Sequence, residues 1–259
     1  MPDVSASFRI GWAGRELNAA VKVPAEPVSP RILLPMVQQL TNALVGMGEN
    51  LMTMNGETIS CKAGCGACCR QIVPIAESEA RQICALVEAM PEPRRTAVRE
   101  RFADAKARLA AGGLLDKLQQ PNEHTRDLSL GMDYFRLGIA CPFLEEESCS
   151  IHPDRPLVCR EYLVTSSAEN CKSPTAETVR RVPTPGFAMT SFAKLDGSAK
   201  HGVRWVPLVL ALDWADAHPE PPAAIPGVKL FETFMNALLN GEKVPPPGET
   251  LPSRPEAAP

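Results

Sequence analysis

Cys61-Lys-Ala-Gly-Cys65-Gly-Ala-Cys68-Cys69 reads as an irregular loop rather than a helix or strand, and the rest of the chain has to be built around it. Gly64 and Gly66 interrupt the run and free the backbone to turn tightly. A tight turn between Cys65 and Cys68 lets both sulfurs face one metal, with backbone N–H groups offsetting the thiolate charge. Neighbouring side chains diverge in helix and strand alike, so Cys68 and Cys69 are expected to serve different metal atoms or different roles.

A second cysteine region starts at Cys141-Pro142-Phe143-Leu144 and runs through Glu145 to Glu147 into Ser148-Cys149-Ser150-Ile151-His152. It ends at Arg155-Pro156-Leu157-Val158-Cys159-Arg160, with Cys171 beyond. The stretches Ile139 to Leu144 and Cys149 to Ile151 predict a short hairpin turned by Glu145 to Ser148, which brings Cys141 and Cys149 together. The three glutamates read as a solvated tip. Asp154 is expected to cap a helix starting near Pro156, placing Cys159 one turn inside it. Thiolates around zinc or an iron–sulfur core leave negative charge that is costly to bury, and Arg70, Arg155 and Arg160 are placed to compensate it.

The chain has 259 residues, nine cysteines and a formal net charge of −3. Its length allows a core without disulfide staples. No basic block supplies the footprint that nucleic-acid binding requires. No segment offers the ~18 apolar residues of a membrane span, and Met1 to Ala6 does not resemble a secretion signal. The expected location is cytoplasmic, where cysteines are metal ligands or redox groups rather than disulfides.

Outward from the cysteines the pattern is mostly helical with a small β-hairpin, an α+β class in which the cysteine loops pack on helices. Ala6, Phe8 and Ile10, then Leu17, Ala19, Val21 and Val23, alternate around a turn at Gly11 to Gly14. Leu33 to Leu51 repeats at helical spacing, loosened near Gly46 and Gly48. Ala80 to Met90 and Val98 to Leu109 predict a helical hairpin, broken at Pro91 and closed by Gly112. A short helix is expected over Asp127 to Leu137, and two more over Pro207 to Ala217 and Lys229 to Leu239. The expected division is hairpin and linker over 1–30, the metal-binding domain over 31–243 and a disordered proline-rich tail over 244–259. Cys84 lies on an apolar helical face and reads as core. His124, His201 and His218 read as solvated or capping residues, whereas His152 is a candidate ligand.

The runs CKAGCGACCRQIVPI and CPFLEEESCSIHPDRPLVCR closely resemble the YkgJ-type family, whose CxxCxxCC domain is described as a zinc- or iron-chelating module. The likeness extends over Cys61 to Ile75 and Cys141 to Tyr162, and its pattern maps onto Cys61, Cys65, Cys68, Cys69, Cys141, Cys149 and Cys159. The first spacing is three residues here rather than two, and His152 stands where the family often has Tyr. Cys171 lies outside the pattern and is added as an eighth ligand on its own position. Adjacent Cys68 and Cys69 and the Cys141-Pro142 step favour an iron–sulfur cluster over zinc, both being thiolate chemistry. The expected roles are electron transfer, redox sensing or support of a partner enzyme, with a zinc-stabilised binding module as the alternative. Flagellin lysine methylase is similar in the cysteine region, which adds an enzyme acting on a protein or peptide as a further alternative. The expected partner is accordingly a protein or peptide. Gly11-Trp-Ala-Gly14 is explained as a turn and offers no nucleotide site.

Overall fold

The computed structural model describes residues 3–120, 128–172, 174–175, 177–197 and 202–241. His124, His201, Asp127 and the tail expected over 244–259 lie outside them. Strands β1 (Asp3–Trp12) and β2 (Arg15–Pro24) pair in register from Asp3↔Pro24 to Trp12↔Arg15. The hairpin is longer than the expected Gly11 to Gly14 turn allowed, because Ala13 and Gly14 alone turn it, with φ of 49° and 70°. Two positive φ values match the twist of the flanking strands, so pairing continues to Trp12.

After β3 (Pro27–Val28), helix α1 (Leu34–Met54) runs unbroken through Gly46 and Gly48. Gly48 reflects close packing instead of loosening, since a Cβ there would lie 2.1 Å from the Pro183 carbonyl oxygen. Strand β4 (Pro74–Ile75) leads into α2 (Glu77–Glu88) and α3 (Arg94–Ala111), with Gly112 at the end of α3 as expected. Short helices α4 (Leu115–Gln119) and α5 (Leu128–Arg136) precede the second cysteine region, which holds β5 (Leu144–Glu145), β6 (Ser148–Cys149) and α6 (Leu157–Glu161). Helix α7 (Ala188–Asp196) is new to the structure, although Ala188, Ser191, Phe192 and Leu195 already carried its helical spacing. Strand β7 (Val206–Pro207), α8 (Ala211–Ala217), β8 (Ile225–Pro226) and α9 (Gly227–Asn240) complete the order. Strand β7 pairs with β4, and β8 with β3. The class is mostly α with small antiparallel strand pairs, as the pattern implied.

Ile10 and Val23 of the hairpin share a core with Val37 and Leu44 of α1, Phe192 of α7 and Phe234 of α9. A second core joins Ile83, Val98, Phe102 and Leu208 to Phe143 and Ile151 of the second cysteine region. Each such side chain stabilises by about 2 kcal/mol before ordering entropy is subtracted. No helix among the described residues is long and apolar enough to cross a membrane.

Three carboxylates, Glu79 and Glu161 buried and Asp196 half-buried, tie α2, α6 and α7 into a closed cycle. Glu79 of α2 accepts the Leu157 N–H at the start of α6, at 2.8 Å, and also the Ala76 N–H at 3.0 Å. Glu161 of α6 accepts the Ala188 and Met189 N–H groups at the start of α7. Asp196, ending α7, accepts the Ser78 N–H at 2.8 Å and the Ser78 hydroxyl at the start of α2. Each carboxylate meets the unpaired donors and the positive dipole end of the next helix. Burial nevertheless dominates their ionisation, raising Glu79 and Glu161 to about 7 and Asp196 to about 6.

A raised carboxyl favours the protonated fold, so its contribution is complete below the unfolded value and is lost as pH rises through the folded one. For Asp196 that window runs from 3.8 to about 6. The gap in urea midpoint between wild type and Asp196→Asn should therefore be most favourable to wild type near the bottom of this window and shrink towards neutral pH. A gap that is constant across the window would contradict the assignment.

Candidate metal centre

In the first cysteine loop the Cys65 N–H donates to the Lys62 carbonyl at 3.1 Å, and Gly64 takes a φ of +82° that only glycine adopts cheaply. A 3-10 turn, Ala67–Arg70, then carries Cys68 and Cys69. The loop lies against the second region: a Cβ on Gly66 would come within 2.7 Å of Glu147 Oε2 and Leu144 Cδ1. The Gly64 N–H also donates to Ser148 Oγ at 3.1 Å.

The second region differs from its expected form in three respects. Its ladder is confined to Leu144↔Cys149 and Glu145↔Ser148, around Glu146 and Glu147 at φ 48° and 58°. Cys141 stays outside the strand because Pro142 has no N–H to pair and the Cys141 N–H is taken by the Cys69 carbonyl, at 2.7 Å. The glutamates are not all solvated: Arg70 grips Glu147 at 3.0 and 2.5 Å, and Arg101 holds Glu145 at 2.7 Å. Asp154 does not cap α6, since it sits in the 3-10 turn His152–Asp154 and Glu79 takes that role from α2.

All eight cysteines singled out, Cys61, Cys65, Cys68, Cys69, Cys141, Cys149, Cys159 and Cys171, line one cavity of about 600 Å³. Cys84 does not, and packs with the second core. Cys171 is brought in by the 3-10 turn Ala168–Lys172, whose Cys171 carbonyl accepts from Gln71 Nε2 at 3.2 Å. The cavity mouth includes the exposed residues Lys62, Ala63 and His152. A ring nitrogen of His152, Nε2, meets the Arg155 guanidinium, so this histidine holds an arginine at the rim.

All three arginines interact electrostatically with cavity cysteines, but Arg70 and Arg160 are also engaged elsewhere. Arg70 is committed to Glu147, and Arg160 to the carbonyls of Arg155 and Pro153 and to Asn42 Oδ1. Arg155 lines the cavity, and its Nε is buried without a hydrogen-bond partner. Its charge favours the thiolate forms of Cys61, Cys68 and Cys149.

Burial pushes most thiols up: Cys141 to about 12, Cys171 to about 11, and Cys61, Cys149 and Cys159 also above the ordinary thiol value. Cys68 is the exception, because the hydrogen bond it receives from Cys69 brings it down to about 7 and keeps the proton on Cys69. Metal loading must therefore release protons from the remaining thiols. Among the described residues no group of three or more His, Cys, Asp or Glu side chains is already arranged to hold a metal ion. The donor chemistry fits a thiophilic metal, and the orphaned guanidinium Nε fits an anionic thiolate centre. The sulfurs frame the cavity, and side-chain rotation is needed to close them on an ion.

Sequence reasoning did not single out Glu79, Glu161 or Asp196, which position α6 and its Cys159. An acidic residue in a first helical turn was visible at Glu79, but its partner lies 78 residues away in α6.

Cys65→Ser and Cys159→Ser should each at least halve the metal bound per chain, while Cys84→Ser leaves it unchanged, as read by metal analysis of purified protein. Unchanged metal in the first two would remove these cysteines from the site.

A family model described as "CxxCxxCC: Putative zinc- or iron-chelating domain" matches residues 60–178. That span contains the eight cavity cysteines and excludes the β1–β2 hairpin and helices α7, α8 and α9. No curated protein and no solved structure matches the chain. Over residues 60–178 this chain is similar to the CxxCxxCC domain family.

Proposed function

We propose that the chain is an iron–sulfur protein that transfers electrons, senses redox state or supports a partner enzyme. The observation that carries this reading is the gathering of eight cysteines on one cavity of about 600 Å³. A single tetrahedral zinc uses four ligands, so this donor number and space suit a polynuclear centre better. When bound, such a centre supplies one-electron chemistry. The chain's own residues supply the thiolates, begin with Cys68 already near its ionised form, and set Arg155 beside them to offset the charge. The exposed rim at Lys62 and His152 offers a protein or peptide partner a short approach to the centre. A reducing, cytoplasmic setting suits thiols that must remain unpaired.

Zinc is the second reading, favoured by the Cys65-Gly-Ala-Cys68 turn, which is a common way to present two sulfurs to one zinc. Protein purified without oxygen should be brown, contain iron and acid-labile sulfide, and bleach on reduction with dithionite. A colourless protein that holds zinc, and takes up no iron and sulfide on anaerobic reconstitution, would overturn the iron–sulfur reading.

A further inference from the structure

The β1–β2 hairpin contributes no residue to the cysteine cavity, and among the described residues no third strand joins it. Its ladder runs without a bulge from Asp3↔Pro24 to Trp12↔Arg15. A two-residue turn makes Trp12 and Arg15 a pair that exchanges hydrogen bonds, and such pairs alternate along an antiparallel ladder. The even-numbered residues of β1 therefore bond to β2. Asp3, Ser5, Ser7, Arg9 and Gly11 turn their backbone N–H and C=O groups outward, where no backbone group among the described residues meets them.

An open strand edge invites pairing with another chain unless it is blunted, and the edge of β2 is blunted. Its outward residues include Lys22 and Pro24, which has no N–H to offer. Gly227 crowds the same end, since a Cβ there would lie 2.6 Å from the Pro24 carbonyl oxygen. No proline interrupts β1. Its side chains alternate, with Ser5, Ser7 and Arg9 exposed while Ala6, Phe8 and Ile10 pack on the core. Val4, on the core-facing side, is left 44% exposed at the open end of the hairpin.

Laid antiparallel on a second copy of itself, with the two-fold axis at Ala6, β1 sets Asp3 opposite Arg9, Val4 opposite Phe8 and Ser5 opposite Ser7. In this register the outward backbone groups of Asp3, Ser5, Ser7 and Arg9 pair with one another. The charged residues of the strand, Asp3 and Arg9, meet as opposites twice, and each exposed Val4 is covered by a Phe8 of the other copy. Shifting by two residues keeps the hydrogen-bonding phase but separates the charges. We propose that the outer edge of β1 is a docking surface for a second copy of this chain, which joins the two hairpins into one four-stranded antiparallel sheet. A single strand edge buries little area, so the dimer forms with rising concentration rather than as an obligate pair.

The test is sedimentation velocity of the full chain. Wild type should pass from monomer to dimer over the micromolar range, up to about 100 μM. Ser7→Pro removes an outward N–H that the hairpin does not use, and should weaken the dimer roughly tenfold with the urea midpoint unchanged. Asp3→Arg and Arg9→Asp should each weaken self-association, and the two variants mixed should regain it, because mixing restores opposite charges at both pairs. That mixing result decides the matter should Ser7→Pro lower the urea midpoint. A wild-type chain that stays monomeric to about 100 μM overturns the proposal. So does a dimer untouched by Ser7→Pro and by both charge variants, and its loss on Asn18→Pro would place the contact on the edge of β2 instead.

Discussion

A cycle of three carboxylates, two of them buried, holds the frame on which the cysteines are mounted. Glu79 closes the start of α6, Glu161 closes the start of α7, and Asp196 closes the start of α2. Short helices such as α6 have almost no stability of their own. Their exposed N–H groups, once buried, would each cost about 1–3 kcal/mol if left unpaired. A carboxylate from the preceding member of the cycle satisfies them, and donors and dipole offset only part of the burial cost. Because Cys159 lies in α6, Glu79 and Glu161 help to fix the helix that carries it.

Upon that frame the cysteine loops face an opposing constraint. Thiolates crowded on one cavity repel one another, and burial resists their ionisation. Burial favours the protonated form of most of these thiols, and Cys69 keeps its proton while donating to Cys68. Lys62, Arg155 and Arg160 line the cavity with them, and Arg155 meets His152. Arg70 bridges the first loop to Glu147 at the tip of the second, and it also interacts electrostatically with Cys69.

The arrangement also explains why the glutamate run matters. Glu146 and Glu147 accept positive φ to turn a two-residue tip, and Glu145 and Glu147 reach back to Arg101 and Arg70. The tip is thereby pinned on both sides while Leu144 packs down towards Gly66. A loop that carries Cys149 of the cavity is held in this way on a ladder of only two residue pairs.

By itself the sequence determined what local chemistry determines: helices α1, α2, α3 and α9 from apolar periodicity, the hairpin from alternation, and the cysteines from spacing. It separated Cys84 from the other eight, because a thiol on an apolar helical face has an ordinary reason to be there. Tertiary structure alone decided which donors meet. Asp154 looked like a cap, yet Glu79, 78 residues from Leu157, holds the helix instead. Cys171 lay beyond the recognised pattern, yet a 3-10 turn fastened by Gln71 carries it to the cavity. Periodicity and spacing describe a residue's own neighbourhood along the chain, whereas capping across helices and gathering of thiols depend on which remote surfaces pack together.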